Sequence, residues 1–283
     1  MRAFFLVFIL TCSLFGFSIS SYTVANGKTA LVEFKKQSGI RYENIEYAKK
    51  SYEIFQSPKD KQKFYALLPI HYYTKPKEIY VKINYSLNNK AKTTTMILRV
   101  LDGEYKKEVI TVDGRRVVLN EKDKKRAALE YREALKIYKR TTKINYIKDK
   151  FIIPLDTKIT SAFGKARVYN GTLKTYHSGT DFRAPEGTEI VATNDGIIVL
   201  AKDRFYSGNS VIIDHGHGIY TCYYHLSEFR VKKGDLVKKG EVLGLSGSTG
   251  RVTGPHLHLS ARVGGVQVDP LQLIKLLNHN LLK

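Results

Sequence analysis

The stretch "TGPHLHLS" at 253–260 sets two imidazoles, His256 and His258, one residue apart behind a Gly-Pro pair. Neutral imidazole binds divalent metals and also exchanges protons near neutral pH, so such a pair could serve either chemistry. With eight histidines in 283 residues, chance alone yields about 0.23 such pairs, so the spacing decides little by itself. The same chain holds a second pair, His215 and His217 in "DHGHGIY", and a His177–Asp181 couple in "YHSGTD". Six of the eight histidines fall between 177 and 258, so one region concentrates the candidate chemistry.

Side chains two apart on a strand share a face. In "PHLHLS" that alternation sends Leu257 and Leu259 into a core and leaves His256 and His258 lining a groove. In "YTCYYHLS" it puts Tyr223 with His225 on one face and Cys222 with Tyr224 on the other. His225 is then expected to face the groove, and Cys222 to pack inward as an inert thiol. A catalytic zinc site takes three protein ligands and keeps a fourth position open. His177, Asp181 and one histidine of the 256/258 pair would supply two nitrogens and an oxygen to one Zn²⁺ ion. The remaining histidine and His225 would stand beside the metal, to take a proton from the attacking water and to support an oxyanion. The plainer alternative pairs Asp181 with Arg183 and leaves the histidines as surface residues of strands. The 215/217 pair differs: Gly216 and Gly218 alternate with it, which marks a hairpin tip between "NSVIID" and "IYTCYYH" and no catalytic role.

The elements that must carry these residues are short strands. From 151 to 283, "GIIVLA", "SVIIDHG", "GIYTCYYHL" and "EVLGLSG" alternate with glycine-rich turns, which predicts a compact all-β domain. "VKKGDLVKKGEVLGLSGSTG" reads as a turn-rich hairpin, and a helix over roughly 269–282 closes the domain. Residues 21–115 are β-rich as well, with "KTALVEF", "FYALLPIHYY", "EIYVKINYSL" and "TTTMILRVLDG" broken at turn dipeptides such as Asp102-Gly103 and Asp113-Gly114. This predicts a β-sandwich or barrel accessory domain whose single histidine is His71. Between the two, over 116–150, a short connecting helix is expected at 120–140, capped by Asn120 and presenting Ala128, Tyr131, Leu135 and Tyr138 on one face. The fold class is therefore mainly β.

The first twenty residues stand apart. They hold an apolar run, one charge at Arg2, and small residues at Ser18 and Ser20, the pattern of a secretory signal peptide cut near Ser20–Ser21. An uncleaved membrane anchor is the alternative, against which the apolar run is short. A periplasmic location follows from the signal-peptide reading. Cys222 is then the one cysteine left, so no intramolecular disulfide is expected. Lys and Arg number 47 against 26 Asp and Glu, a formal charge of +21 that suits an anionic partner. Export directs that charge away from nucleic acid and toward an envelope polymer or an anionic membrane surface. Composition leaves the oligomeric state open.

"YHSGTDFRAPEGTEIVA", "YYHLSE" and "GSTGRVTGPHLHLS" together resemble the three signatures of the M23 (LytM/lysostaphin-type) zinc metallopeptidases, over about 158–270. The resemblance implies an antiparallel β LytM-type catalytic domain with His177, Asp181 and His258 as the ligands of one zinc ion. It implies His256 as the general base and His225 as a second catalytic histidine that orients water or stabilises the tetrahedral intermediate. Relatives that have lost hydrolysis and serve as amidase activators lack some of these positions; this chain has all five. The N-terminal region is similar to the accessory domain of M23 endopeptidases that trim peptidoglycan in curved or helical Gram-negative bacteria. That likeness implies a D,D-endopeptidase acting on peptidoglycan stem-peptide cross-links, with D,D-carboxypeptidase activity as a related outcome. Arg183 would meet a substrate carboxylate, and the loops 165–176, 203–209 and 246–253 would wall the groove. The alternative is a non-catalytic module that binds peptidoglycan or activates another hydrolase.

Overall fold

The computed structural model describes residues 17–19, 21–110, 119–169 and 173–282. Most of the expected signal peptide, and the Asp113-Gly114 turn, lie outside the described residues. Among the described residues no helix is long and apolar enough to cross a membrane.

The N-terminal strands are β1 (Phe17–Ile19), β2 (Thr23–Ala25), β3 (Thr29–Lys35), β4 (Ile40–Tyr47), β5 (Lys50–Glu53), β6 (Phe55–Gln56), β7 (Lys63–Pro69), β8 (Lys77–Leu87) and β9 (Lys90–Leu101). They form two sheets, β1-β3-β7-β6 and β2-β9-β8-β4-β5, stacked as a sandwich. In β8 the alternation is clean: Ile79, Val81 and Ile83 are buried while Tyr80 is exposed. In β3 and β7 it is hidden, because both faces are covered. Ala30, Val32, Phe34, Ala66 and Leu68 enter the sandwich core, while Leu31, Tyr65 and Leu67 enter the core of the C-terminal half. A strand buried on both sides reads as a continuous apolar run, which is how "YALLPI" appears. Strand β1 falls within the expected signal segment and pairs antiparallel with β3; a cut at Ser20–Ser21 would remove that edge strand.

Strand β10 (Lys107–Ile110) leads to α1 (Glu121–Tyr138), which Asn120 caps by accepting from the Asp123 amide. Of the expected stripe through Ala128, Tyr131, Leu135 and Tyr138, only Tyr138 is buried, and Glu130 and Ala134 complete the buried face of α1. Glu130 is buried because both carboxylate oxygens are used, one by Arg126 Nε at 2.7 Å and one by the Phe205 amide at 2.8 Å. Tyr131 and Leu135 instead line a cavity and stay accessible.

The C-terminal half comprises β11 (Ile159–Ser161), β12 (Ala166–Tyr169), β13 (Leu173–Tyr176), β14 (Thr180–Arg183), β15 (Glu189–Val191), β16 (Gly196–Arg204), β17 (Gly208–Asp214), β18 (Ile219–Phe229), β19 (Leu236–Val237), β20 (Val242–Ser246), β21 (His256–Val263) and β22 (Val266–Val268). A sheet of order β11-β14-β21-β18-β17-β16-β19 forms its backbone, with β22 on β21 and β20 joined to β15 and β18. The expected hairpin over 231–250 does not form, because β19 pairs with β16 and β20 with β15 and β18. Its glycines turn the chain between distant partners instead. Helix α2 (Pro270–Leu276), capped by Asp269, runs into a π-helical turn at Leu277–Leu281 and buries Leu273, Ile274 and Leu277 in the core. It also ties the two halves together: Gln272 exchanges two hydrogen bonds with the Thr29 backbone, both 2.9 Å.

Candidate active site

Strand β21 lies between β14 and β18, and its odd positions, Leu257 and Leu259, are fully buried in the C-terminal core. Each such leucine contributes about 2 kcal/mol of burial, which holds His256 and His258 on the opposite face. The register with β14 is the decisive step: Asp181 stands across from His258 and Arg183 across from His256. His177, just before β14, completes the cluster. Asp181 Oδ1 lies 2.9 Å from His177 Nε2 and 2.8 Å from His258 Nδ1, and the two ring nitrogens are 3.1 Å apart. Their ligand atoms lie within 4.8 Å of one another, and all three residues are buried.

The donor set can be tested for a metal without reference to any ion. The Nδ1 of His177 faces the Ala162 carbonyl at 2.8 Å. A carbonyl can only accept, so this nitrogen carries the proton and Nε2 presents its lone pair. That lone pair points at a carboxylate oxygen, an arrangement that requires a cation between them, either a second proton or a metal. A backbone carbonyl that fixes the tautomer of a ligating histidine is the usual support of such centres. Burial alone would raise the Asp181 carboxyl, but the interactions with His177 and His258 outweigh it and hold the group far below the usual carboxylate range. Asp181 is therefore anionic whichever cation is bound. It does not pair with Arg183; its neighbouring guanidinium is Arg167, 3.7 Å away.

His256 and His225 stand beside this cluster. His256 Nε2 is 3.6 Å from Asp181 Oδ1, and its Nδ1 donates to the Gly254 carbonyl at 2.9 Å. His225 Nδ1 donates to the Thr249 carbonyl at 2.8 Å, and its ring centroid is 5.0 Å from that of His256. Both rings thus have Nδ1 committed to a backbone carbonyl, which leaves Nε2 for the chemistry of the site. Burial, with the neighbouring His258, pushes His225 down to about 3, which keeps it neutral.

His225 reaches the groove by a route that strand alternation does not supply. Between the pairs Val211–Tyr223 and Asn209–Leu226, β18 contains one residue more than β17. This bulge places His225 at φ 66° with its amide donating to Ser207 O. Tyr223 goes to the C-terminal core, and His225 joins Tyr224 on the groove side. The pairing of Tyr223 with His225 on one face is therefore corrected. Cys222 is fully buried as expected, but on the groove side of the sheet, under Tyr138 of α1.

Two supporting residues were not singled out from sequence. Tyr224 stands across from His258 and stacks on its ring, 5.4 Å between centroids at 9°. Gly179, inside "HSGTD", must lack a side chain, because a Cβ there would meet Leu259 O at 2.3 Å and His258 Nε2 at 2.4 Å. The glycine between the two candidate ligands was the readable signal for that close approach. The N-terminal sandwich also contributes: Tyr72 stacks on Tyr176 at 3.8 Å, immediately before His177, and donates to Gly164 O.

A cavity of about 810 Å³ adjoins the cluster, with His177, His225 and His258 in its wall. Lining residues come from all three expected loop regions, including Arg167, Tyr206 and Arg251, and also from α1 and the N-terminal half through Lys50, His71 and Tyr73. His256 and Arg183 are not among the lining residues. Arg183 is exposed, and its position opposite His256 puts it at the other end of the site.

Residues 175–270 match Peptidase family M23. The chain carries an M23 peptidase domain. Among curated relatives, it is 44% identical over 122 residues to the peptidoglycan DD-endopeptidase ShyA of Vibrio cholerae, a match covering 42% of this chain and 28% of that one. It is also 44% identical over 119 residues to the DD-carboxypeptidase/endopeptidase Mpg of Neisseria meningitidis, covering 41% and 27%. The similarity thus spans a little over a quarter of these relatives' length. A Pseudomonas aeruginosa structure assigned to peptidase M23 superposes more widely, with a TM-score of 0.69 at 26% identity over 89% of this chain and 95% of that one. The M23 match contains His177, Asp181, His225, His256 and His258, and the candidate metal cluster lies within this domain.

Proposed function

We propose that the M23 domain is a zinc-dependent peptidoglycan hydrolase that cuts stem-peptide cross-links as a D,D-endopeptidase, with D,D-carboxypeptidase activity on the same site. The observation that carries this reading is the convergence of His177, Asp181 and His258 on one point, flanked by two further histidines, each with Nδ1 committed to a backbone carbonyl. Two imidazoles and one carboxylate suit zinc. Bound there, the ion supplies Lewis acidity, polarising a carbonyl and acidifying water.

The protein's own groups divide the remaining work. His256, 3.6 Å from Asp181 and fixed by Gly254, takes the proton of the attacking water on Nε2. His225 starts neutral, so it orients that water as an acceptor, and the proton held by His256 passes to the leaving amine as the C–N bond breaks. Arg183, exposed beyond His256, meets a substrate carboxylate at that end. The apolar leader over 1–20 acts as a signal peptide that delivers the chain to the periplasm, and the +21 charge favours peptidoglycan and other anionic envelope surfaces over nucleic acid. The 810 Å³ cavity joined to the cluster supports a peptide substrate over a purely structural metal.

The test is digestion of purified sacculi by the full chain, with and without chelator, and product analysis by mass. Loss of cross-linked dimers that ceases on chelation is the expected result. His177→Ala should lose metal and hydrolysis together. A metal-free protein that still digests dimers would overturn the reading, and intact metal with no product would favour the activator alternative.

A further inference from the structure

The cavity beside the candidate ligands has an unusual charge. Its wall contains five cations, Lys50, Arg167, Arg204, Arg251 and Arg262, and one acid, Glu130, whose two oxygens are both already engaged. Among the described residues, two of the guanidinium groups have no carboxylate partner. Arg262 donates to Gly265 O at 3.1 Å and to Gln267 Oε1 at 3.0 Å, lies over the Tyr138 ring at 4.3 Å, and keeps a buried Nε without any acceptor. Arg204 donates to Glu130 O at 2.8 Å and likewise has a buried, unpartnered Nε. All of these acceptors are neutral. Both residues are partly buried, and a cation that faces only neutral acceptors where solvent is restricted favours entry of an anion.

Their placement along the fold is specific. Arg262 lies on β21 at an even position, on the same face as His256, His258 and Ser260. At the rise of a strand it stands about 13 Å from His258. Arg204 closes β16 opposite Gly208, beside the Asn209–Leu226 pair at the His225 end of the sheet, whereas Arg262 stands across from Tyr220. The cavity therefore has a candidate metal cluster toward one end and Arg262, held by neutral acceptors, toward the other, with tyrosines between.

We propose that Arg262 is an anion subsite that takes a free carboxylate of the bound peptide, several bonds from the cleaved amide. The proposal rests on the reading of the substrate as a stem peptide, which carries such carboxylates. It places this end of the substrate at Arg262 and leaves Arg183 for the far side of the scissile bond. A planar guanidinium accepts a carboxylate through paired N–H donors, and entry of the anion neutralises the charge the fold leaves open.

The test compares stem peptides with free carboxylates and the same peptides as carboxamides. With the zinc-loaded full chain and cross-linked dimers, amidation should lower kcat/KM 10- to 100-fold, chiefly through KM. With chelator-treated full chain, calorimetric titration should show the free-acid peptide binding at least 10-fold more tightly, with affinity falling as salt rises. Arg262→Gln should abolish the preference, so that acid and amide behave alike. If that variant does not fold, Arg262→Lys, which keeps the charge but loses the paired donors, provides the second variant and should narrow the preference. Equal affinity for acid and amide, or no binding of either, overturns the subsite, as does a folded Arg262→Gln that retains the preference. Failure of the loaded enzyme to cut either dimer counts against the peptidase reading, and calorimetry still judges the subsite.

Discussion

In the pair at 256 and 258, the intervening Leu257 is anchored in the C-terminal core, and the rings project from a regular strand. In the pair at 215 and 217, the intervening residue is Gly216 at φ 86°, where a Cβ would meet Ile144 O at 1.8 Å. The chain reverses there, and the two rings part. His215 is fully buried, donating from Nδ1 to Asp195 O and accepting at Nε2 from Thr221, both at 2.7 Å. His217 lies flat on Phe55 at 3.9 Å, accepts from the Tyr65 hydroxyl at 2.7 Å and donates to Lys143 O. Every nitrogen of this pair is spent on the protein. In the groove, one nitrogen of His256 is tied to a carbonyl and the other is open toward Asp181. Function separates from structure here by what each ring's second nitrogen faces, since the residue types and their spacing are the same.

The largest effects should come from the groove pair. His258→Ala removes a ligand, and both metal content and hydrolysis should fall to background, measured by elemental analysis and muropeptide release. His256→Ala should keep the metal and lose turnover by roughly 10²–10⁴-fold. Loss of the metal in His256→Ala, with retention in His258→Ala, would exchange the two roles and break the comparison at its centre.

The hairpin pair should instead fail through stability. His215→Ala leaves a cavity and two unpaired polar groups, which should cost about 3 kcal/mol in chemical denaturation. Metal content of the folded fraction should be unchanged. A His215→Ala protein of wild-type stability that had lost its metal would place His215 in the functional network instead.

Much of this contrast was legible beforehand. Leucine alternation in "PHLHLS" and glycine alternation in "DHGHG" are local signals, and both correspond to the observed strand and turn. What escaped was set by tertiary contacts. The bulge that turns His225 into the groove occurs at a non-glycine residue with φ 66°, so no residue type announces it. The buried face of α1 shifts because Glu130 finds two donors and because Tyr131 and Leu135 border the cavity rather than the core. The pairing of β19 and β20 with distant strands depends on their neighbours' open edges, which a turn-rich sequence does not reveal. The continuous run in β7 concealed that the N-terminal sandwich shares a layer with the C-terminal half, and so concealed the seat of His217.

That seat has a pH consequence, the smallest of the expected effects. Burial pushes both His215 and His217 down to about 4, against an unfolded value of about 6.5. Between these values the unfolded chain binds more protons than the folded one, so stability declines as pH falls. Their contribution is complete above pH 6.5 and is lost progressively toward pH 4. His217 is partly accessible, so its share is below that of fully buried His215. Denaturation midpoints measured at pH 7 and pH 5 should therefore differ more for the wild type than for His217→Ala, and the variant should retain its metal. Because His217 bridges Phe55 and Tyr65 to the β17–β18 hairpin, protonation should loosen the sandwich from the C-terminal half first. Hydrogen exchange in β6 and β7 should rise before exchange in β21. An unchanged slope in His217→Ala would mean that this ring binds protons equally in the folded and unfolded chain. The contrast between the two pairs would then rest on His215 alone.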